Sequence, residues 1–166
     1  MAAALLFTAA CGVDSSASPS GSPKESMNSM TMTEKEAISR MEKIIREAVG
    51  VLEPEPRLES IENLSQRSSC DPDDGGSPEQ TVLNRSYLLR GVPQSSNGEI
   101  ARKIKGFWDR QGYKIDSAVR LDGNKPQVLG LDSSGDFSLG LITSGDGVLE
   151  IGATSPCVLP LGTGGA

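Results

Sequence analysis

The sequence predicts an α+β fold, in which an antiparallel β-meander of about four to five strands carries two helices on one face and follows a disordered tether. Two observations predict it. Two stretches in the first two thirds of the chain have the apolar period of an amphipathic helix, and after Gly112 the period switches to two. Short turns separate the later strands, and turns this short join only antiparallel neighbours.

The central element is predicted to be a helix that begins at Ser96 and runs to Gly112. Ser96 and Glu99 have the spacing of a capping box. The apolar residues of this helix are Ile100, Ile104, Phe107 and Trp108. Because only 4% of the residues are aromatic and this helix holds the one Trp, we expect it to form the centre of the core.

An earlier helix is predicted from the capping box of Thr33 and Glu36 and the apolar period that follows it. It should end before Pro54, since proline cannot continue a helix. Residues 57–80 have no clear period and are predicted to form a loop rich in turn residues.

The acidic part of this loop, around Asp71 and Asp73, invites comparison with a calcium site. The EF-hand pattern fails there, because its fifth position falls on Gly75 and its twelfth on Val82, where a bidentate Glu is required. The sequence therefore predicts no metal site, and nothing in it indicates a cofactor.

Five strands are predicted in the body of the chain. They lie at residues 81–92, 113–121, 127–132, 136–143 and 148–154, with turns at residues 122–123, 134–135 and 145–147. In the last two, apolar residues alternate with polar or small ones, as they do in the strand at 113–121. One face of the sheet should therefore pack on the helices, and the other should be polar and open to solvent.

Composition excludes several classes of function. The chain has no His, which rules out Ser-His-Asp triads, Cys-His dyads and HExxH zinc sites. The net charge of −6 argues against nucleic-acid binding, because such proteins concentrate basic residues to neutralise phosphates. We expect the protein not to be an enzyme.

One basic cluster stands out in this acidic chain. It consists of Arg102, Lys103, Lys105, Arg110 and Lys114. It is either a solvated helix face or a binding surface for anionic lipid or an acidic partner, and the sequence leaves both readings open.

The amino terminus resembles the end of a bacterial lipoprotein signal peptide. A short apolar run ends in Ala9, Ala10 and Cys11, as in the lipobox whose Cys becomes diacylated, and Gly12 is common after that Cys. Thr8 stands where Leu is usual, and no basic residue precedes the run, so we expect the translation start to lie upstream of Met1.

The resemblance divides the chain into four parts. Residues 1–11 are the signal peptide remnant, residues 12–32 a disordered tether rich in Ser, Pro and Gly, residues 33–160 one α+β domain and residues 161–166 a flexible tail. It implies a membrane partner, reached through a lipid at Cys11 on the extracytoplasmic face of the cell membrane.

The number of cysteines is consistent with an exported, lipid-anchored domain. If Cys11 carries a lipid, Cys70 and Cys157 remain, and an even number in an exported domain predicts one disulfide. The alternative is a cytoplasmic structural protein in which both thiols are free and Cys11 is unmodified.

The whole chain also resembles a loose group of streptomycete-like actinobacterial lipoproteins of uncharacterised function. The resemblance lies in the lipobox-like start, the tether and three short motifs. The motifs are Trp108-x-x-x-Gly112-Tyr113, Gly135-Asp136-Phe137 and Ser155-Pro156-Cys157-Val158. It implies surface anchoring and an α+β domain with a disulfide, and it carries over no catalytic residues.

We therefore expect a lipid-anchored extracytoplasmic domain that binds a protein, peptide or envelope component through the open sheet face or the basic helix. The enzymatic alternative is a carboxylate-based hydrolase, for which Asp132 and Asp136 are the candidate acids. A turn flanked by the same two residues explains them equally.

Overall fold

The computed structural model describes residues 32–74, 76–123 and 125–159. In chain order its elements are α1 (Glu34–Val49), β1 (Arg57–Ser60), β2 (Arg67–Ser69), β3 (Thr81–Arg90), α2 (Asn97–Arg110), β4 (Lys114–Ile115), β5 (Val128–Leu131), β6 (Ser138–Thr143) and β7 (Leu149–Thr154). The predicted signal peptide remnant, the tail and all of the tether except Met32 lie outside the described residues. Within these ranges no helix combines the length and the apolar content needed to cross a membrane.

The strands form one antiparallel sheet in the order β1, β3, β7, β6, β5, β4. The short β2 pairs with β3 on the same edge as β1. The strands β4 to β7 are the predicted meander, and β3 extends it on the β7 side. Both helices pack on one face, so the predicted α+β class is confirmed.

The first helix begins where the capping box predicts. The Thr33 hydroxyl accepts a hydrogen bond from the Glu36 N–H at 3.4 Å, and the Glu36 carboxylate accepts one from the Thr33 N–H at 2.8 Å. These two bonds satisfy backbone donors that a helix end leaves unpaired. The apolar stripe of α1, including Met41, Ile45 and Ala48, is fully buried against β3 and β7.

The start of α2 differs from the prediction. A turn of 3₁₀ helix over Gln94–Ser96 leads into the helix, and the Ser96 side chain caps nothing, so the second predicted capping box is wrong. The Glu99 carboxylate pairs with the Lys103 ammonium at 2.8 Å instead. The buried Asn97 amide fixes this end of the helix by donating to the Gly147 carbonyl oxygen at 2.9 Å.

The apolar face of α2 packs as predicted. Ile104 and Trp108 are buried, with 0% and 1% of their surface exposed, and Phe107 is half-buried beside them. An aromatic side chain of this size contributes more buried apolar area than any other residue type. The only Trp therefore lies in the core between the helices and the sheet.

The predicted strand at residues 113–121 is largely wrong. Only Lys114 and Ile115 are paired as a strand, because the Asp116 carboxylate accepts a hydrogen bond from the Ala118 N–H at 2.8 Å and turns the chain. Conversely, the predicted loop at residues 57–80 contains the short polar strands β1 and β2.

The hairpins that join β5, β6 and β7 confirm the turn predictions. Gly135 and Gly147 have φ angles of +83° and +84°, a conformation that a residue with a Cβ rarely adopts. Turns of this kind require antiparallel neighbours, and the register of β6 against β5 and β7 is continuous.

The two ends of the described chain lie side by side. The Leu159 N–H donates to the Met32 carbonyl oxygen at 2.9 Å, and the Glu34 N–H donates to the Leu159 carbonyl oxygen at 3.2 Å. Val158 also bridges Thr81 at the start of β3. Both ends therefore meet at the end of the strands where β3 begins and β7 ends.

Candidate functional site

The face of the sheet opposite the helices, here called the outer face, is not covered by either described helix. From β3 across to β4, the pairing registers arrange its side chains in three rows that cross the strands. Row 1 is Asn84, Thr154, Ser138, Leu131 and Lys114; row 2 is Ser86, Gly152, Gly140, Leu129 and Asp116; row 3 is Leu88, Glu150, Ile142, Gln127 and Arg120. Row 1 lies nearest to the paired chain ends.

The outer face is more apolar than the sequence predicts. Leu131 and Ile142 are each 36% exposed, and Leu129 and Leu88 are half-buried beside them. Isolated exposed apolar residues are ordinary on protein surfaces, but several on one sheet face are typical of a binding surface. The expectation of a wholly polar face is therefore wrong.

Two adjoining hollows mark the middle of the outer face. One has a volume of about 240 Å³ and lies over Ser86, Gly140 and Gly152. The other has a volume of about 560 Å³ and lies over Leu129, Leu131 and Lys114. Both are open to solvent, so they suit the side chains of a partner better than an enclosed small molecule.

Two glycines, Gly140 and Gly152, line the first hollow, and the neighbouring strand approaches Gly152 closely. A Cβ at this position would lie 2.8 Å from the Ser86 hydroxyl oxygen and 3.0 Å from the Arg85 carbonyl oxygen. Gly140, its neighbour in row 2, is less restricted, since a Cβ there would meet only the Leu129 side chain at 3.4 Å. Close strand packing therefore requires glycine at residue 152.

Charges lie at the rim of the outer face. Lys114 and Asp116 stand at the β4 edge, and Glu150 lies in row 3. The Arg120 guanidinium donates to the Gln127 side-chain oxygen at 2.5 Å, which holds it over the start of β5. Within the described ranges neither Arg120 nor Glu150 has an opposite charge within 4.0 Å.

The predicted basic cluster is partly neutralised in the structure. Arg102 lies 3.9 Å from Asp122, Lys103 lies 2.8 Å from Glu99, and Lys105 lies 2.8 Å from Asp109. Arg110 is exposed at the end of α2. Lys114 belongs instead to the outer face of the sheet, where its ammonium approaches the turn at Gly135.

Of the two candidate acids of the hydrolase alternative, Asp136 is half-buried and Asp132 is enclosed by the protein. The Asp132 side chain is 3% exposed, and one of its oxygens accepts hydrogen bonds from the N–H groups of Gly135, Asp136 and Phe137 and from the Ser134 hydroxyl. Its other oxygen accepts from the Arg40 guanidinium at 2.6 Å. Asp132 thus holds the β5–β6 turn and docks α1 on it.

The same contacts determine the charge state of Asp132. Burial of the carboxylate favours its neutral form, but hydrogen bonds from Ser134 and Phe137 and the Arg40 guanidinium outweigh burial and lower its pKa below the ordinary value of 3.8. The Arg40 guanidinium also stacks 4.6 Å from the centre of the Phe137 ring. Asp132 is therefore an ionised structural acceptor near neutral pH.

The acidic turn before β3 also uses its aspartates locally. The Asp71 carboxylate accepts a hydrogen bond from the Asp73 N–H at 2.9 Å. Such side-chain bonds to a nearby backbone N–H stabilise turns without a ligand. In the described ranges no group of three or more His, Cys, Asp or Glu side chains is arranged to hold a metal ion.

Cys70 and Cys157 form a disulfide, with their Cα atoms 6.0 Å apart and a sequence separation of 87. The bond ties the loop before β3 to the segment after β7. Disulfides persist in oxidising compartments, so this bond indicates an extracytoplasmic location. Cys11, the predicted lipidation site, lies outside the described residues.

Comparisons with known proteins give no relative for this chain: no family model, no curated protein and no solved structure matches it. Its site must therefore be interpreted from geometry alone. Of the predicted site residues, the structure brings together Cys70 with Cys157 and places Lys114 on the outer face.

Proposed function

We propose that this protein is a lipid-anchored extracytoplasmic domain that carries no catalytic site and binds a protein or envelope partner through the outer face of its sheet. The lipid is attached at Cys11, and residues 12–32 tether the domain to the membrane. The disulfide between Cys70 and Cys157 is the observation that carries the location. It accounts for two of the three cysteines and leaves Cys11 for the lipid.

The position of the chain ends supports an anchored arrangement. Met32 lies beside Leu159, at the end of the strands nearest to row 1 of the outer face. A tether that joins the domain at Met32 therefore enters at the end of the strands and not over the middle of the outer face. A flexible segment of about 20 residues has a root-mean-square span of roughly 25 Å, enough to keep the domain clear of lipid headgroups.

The chemistry of the acidic residues supports a binding function over hydrolysis. A carboxylate-based hydrolase needs two acids that converge on a cleft and remain available to substrate. Both oxygens of Asp132 are engaged inside the protein, with Arg40 on one and the turn backbone on the other. The outer face offers apolar side chains and open hollows instead, which suit a partner surface.

Cell fractionation tests the anchor. The chain is expressed with its native upstream sequence, and the wild-type protein is expected in the membrane fraction, released by detergent but not by high salt. Cys11→Ser should move it to the soluble extracytoplasmic fraction. A control that reverses two charges of the basic cluster on α2, Arg102→Glu with Arg110→Glu, should leave the wild-type distribution unchanged.

Two outcomes would contradict the lipid anchor at Cys11. If Cys11→Ser stays with the membrane, the lipid at Cys11 is not the anchor. If the charge reversals release the protein while Cys11 is intact, the basic residues hold the membrane and the proposal fails in favour of electrostatic attachment.

A further inference from the structure

We propose that the partner of the outer face is a second copy of this chain, related by a two-fold axis that runs along β6. This inference rests on the proposed function, in which the outer face is the docking surface. Two sheets pack face to face with their strands roughly aligned, and a two-fold axis places each residue opposite a defined residue of the other copy. With β6 on the axis, β7 faces β5 of the other copy and β3 faces β4.

This pairing places large side chains over small ones. In row 2, Leu129 of one copy lies over Gly152 of the other, where the hollow of about 240 Å³ receives it. In row 1, Leu131 lies over Thr154. Ile142, which is 36% exposed in the single chain, meets its own counterpart on the axis.

The same axis pairs opposite charges. Row 3 places Glu150 of one copy opposite Gln127 of the other, and the Arg120 guanidinium is held on that Gln127 by a 2.5 Å hydrogen bond. Each dimer therefore contains two such contacts between Glu150 and Arg120. Among the described residues of the single chain neither group has an opposite charge within 4.0 Å, so the second copy supplies one.

Polar groups at the rim are also matched. In row 1, Lys114 of one copy faces the Asn84 amide of the other, and in row 2, Asp116 faces the Ser86 hydroxyl. In each pair one group donates and the other accepts. Rows 1 and 2 therefore bring residues of compatible size or polarity together, and in row 3 the Leu88 side chain faces the aliphatic stem of Arg120.

The size of the surface predicts a weak dimer. Five strands about 4.8 Å apart and three rows about 7 Å apart give a patch of roughly 25 by 20 Å, so association buries on the order of 1,000 Å² in total. This is at the lower limit for a specific interface. Confinement of both copies to one membrane raises their effective concentration and favours the dimer.

The orientation suits such confinement. A two-fold axis parallel to the strands keeps the Thr33 and Leu159 ends of both copies on the same side. Two tethers can therefore reach one membrane surface without crossing the interface. An axis perpendicular to the strands would point the two tethers in opposite directions.

Sedimentation velocity on the full chain with Cys11→Ser tests the dimer apart from the anchor. The protein should associate reversibly between micromolar and millimolar concentration. Glu150→Arg and Arg120→Glu should each raise the dissociation constant by about tenfold or more, because each homodimer then contains two like-charge contacts. Lys35→Glu, on the helix side, is the matched control and should leave association unchanged.

Mixing the two variants gives the decisive result. A heterodimer of Glu150→Arg with Arg120→Glu regains two opposite-charge contacts, so the mixture should associate about as strongly as the wild-type protein. The proposal is overturned if the wild-type chain stays monomeric at millimolar concentration, or if it dimerises without response to these reversals. Either result leaves the lipid anchor standing, since the anchor is measured by fractionation.

Cysteine cross-linking locates the axis. Ile142→Cys should form an intermolecular disulfide on mild oxidation, because the two positions meet on the axis. Leu64→Cys, at a residue that is 45% exposed and outside the outer face, should not. Equal cross-linking at both positions would show random collision and contradict the proposed axis.

Discussion

Arg40 of α1 and Asp132 at the end of β5 are joined by an ion pair of 2.6 Å that spans 92 positions of the sequence. The same carboxylate accepts hydrogen bonds from three backbone N–H groups of the β5–β6 turn. One side chain therefore fixes both the turn and the docking of the helix layer on the sheet.

Replacing Asp132 should destabilise the fold strongly. Asp132→Ala leaves the Arg40 guanidinium and three backbone donors without their acceptor, and we expect the free energy of unfolding to fall by about 3 kcal/mol. Urea denaturation measures the change. Asp136→Ala, four residues along in the same turn, is the control and should cost less than about 1 kcal/mol; equal losses would contradict the assigned role of Asp132.

The contribution of Asp132 should depend on pH. Because the folded protein lowers its pKa below 3.8, the ionised form stabilises the fold fully above about pH 4 and loses this contribution as the pH falls through the folded pKa. Wild-type protein and Asp132→Asn should therefore differ most at neutral pH and converge in acid. A difference in stability that stays constant from pH 7 to about pH 2 would contradict this linkage.

Tyr87 should titrate well above an ordinary tyrosine. Burial and the hydrogen bond that its hydroxyl donates to Glu42 raise the pKa of Tyr87 to about 12, and burial also raises the pKa of Tyr113. Because the pKa of Tyr87 is higher in the folded protein than in the unfolded chain, Tyr87 contributes stability fully below about pH 10. This contribution is lost as the pH rises from about 10 to about 12.

Ultraviolet titration of tyrosinate measures these pKa values. In Tyr113→Phe the remaining tyrosine should ionise near pH 12, and adding Glu42→Gln should move that value down towards 10 because the negative charge is removed. Titration near pH 10 while the protein is still folded would show that the Tyr87–Glu42 bond does not form.

Gly76 should be required beside the disulfide. A Cβ at residue 76 would lie 2.6 Å from the Cys70 Cβ and 2.9 Å from the Cys157 sulfur, so Gly76→Ala forces the two segments apart. Gly145→Ala is the control, since nothing lies within 4 Å of a Cβ there. We expect slower disulfide formation and lower stability in Gly76→Ala only, measured by thiol titration and urea denaturation.

Loss of the disulfide itself should have a larger effect. Closing a loop of 87 residues lowers the entropy of the unfolded chain by an amount worth about 4 to 5 kcal/mol in the chain-entropy model. Cys70→Ser with Cys157→Ser, or the reduced wild-type protein, should lose a comparable free energy of unfolding. Unchanged stability after reduction would mean that the bond does not constrain the fold.

Local signals explain which elements the sequence predicts. Thr33 and Glu36 supply both halves of a capping box, and glycine at residues 135 and 147 permits the turns that join β5, β6 and β7. These features act within a few residues of one another. Such local features determine α1 and the carboxy-terminal hairpins, and each is visible in the sequence.

The missed features depend on distant partners. The strands β1 and β2 are short and polar, and they form because β3 offers them a free edge. At α2, the buried Asn97 bonds to Gly147, 50 positions away, in place of the predicted cap at Ser96. The ion pair of Arg40 with Asp132 likewise has no local pattern.

The outer face was predictable only in part. Alternation along β6 and β7 places Leu139, Leu141 and Ile151 inside and mostly small or polar residues outside, which indicates an uncovered face. The rows that cross the strands depend on pairing register, which the sequence of one strand does not contain. The hollow over Gly152 and the position of Arg120 therefore emerge only from the structure.

Intact mass of the native membrane-extracted protein, recorded with and without reductant, tests the central claim most directly. An anchored exported domain predicts a chain that begins at Cys11, carries diacylglycerol in thioether linkage, and gains two hydrogens when the bond between Cys70 and Cys157 is reduced. A chain that retains Met1, carries no lipid and shows no change on reduction would contradict both the anchor and the extracytoplasmic location.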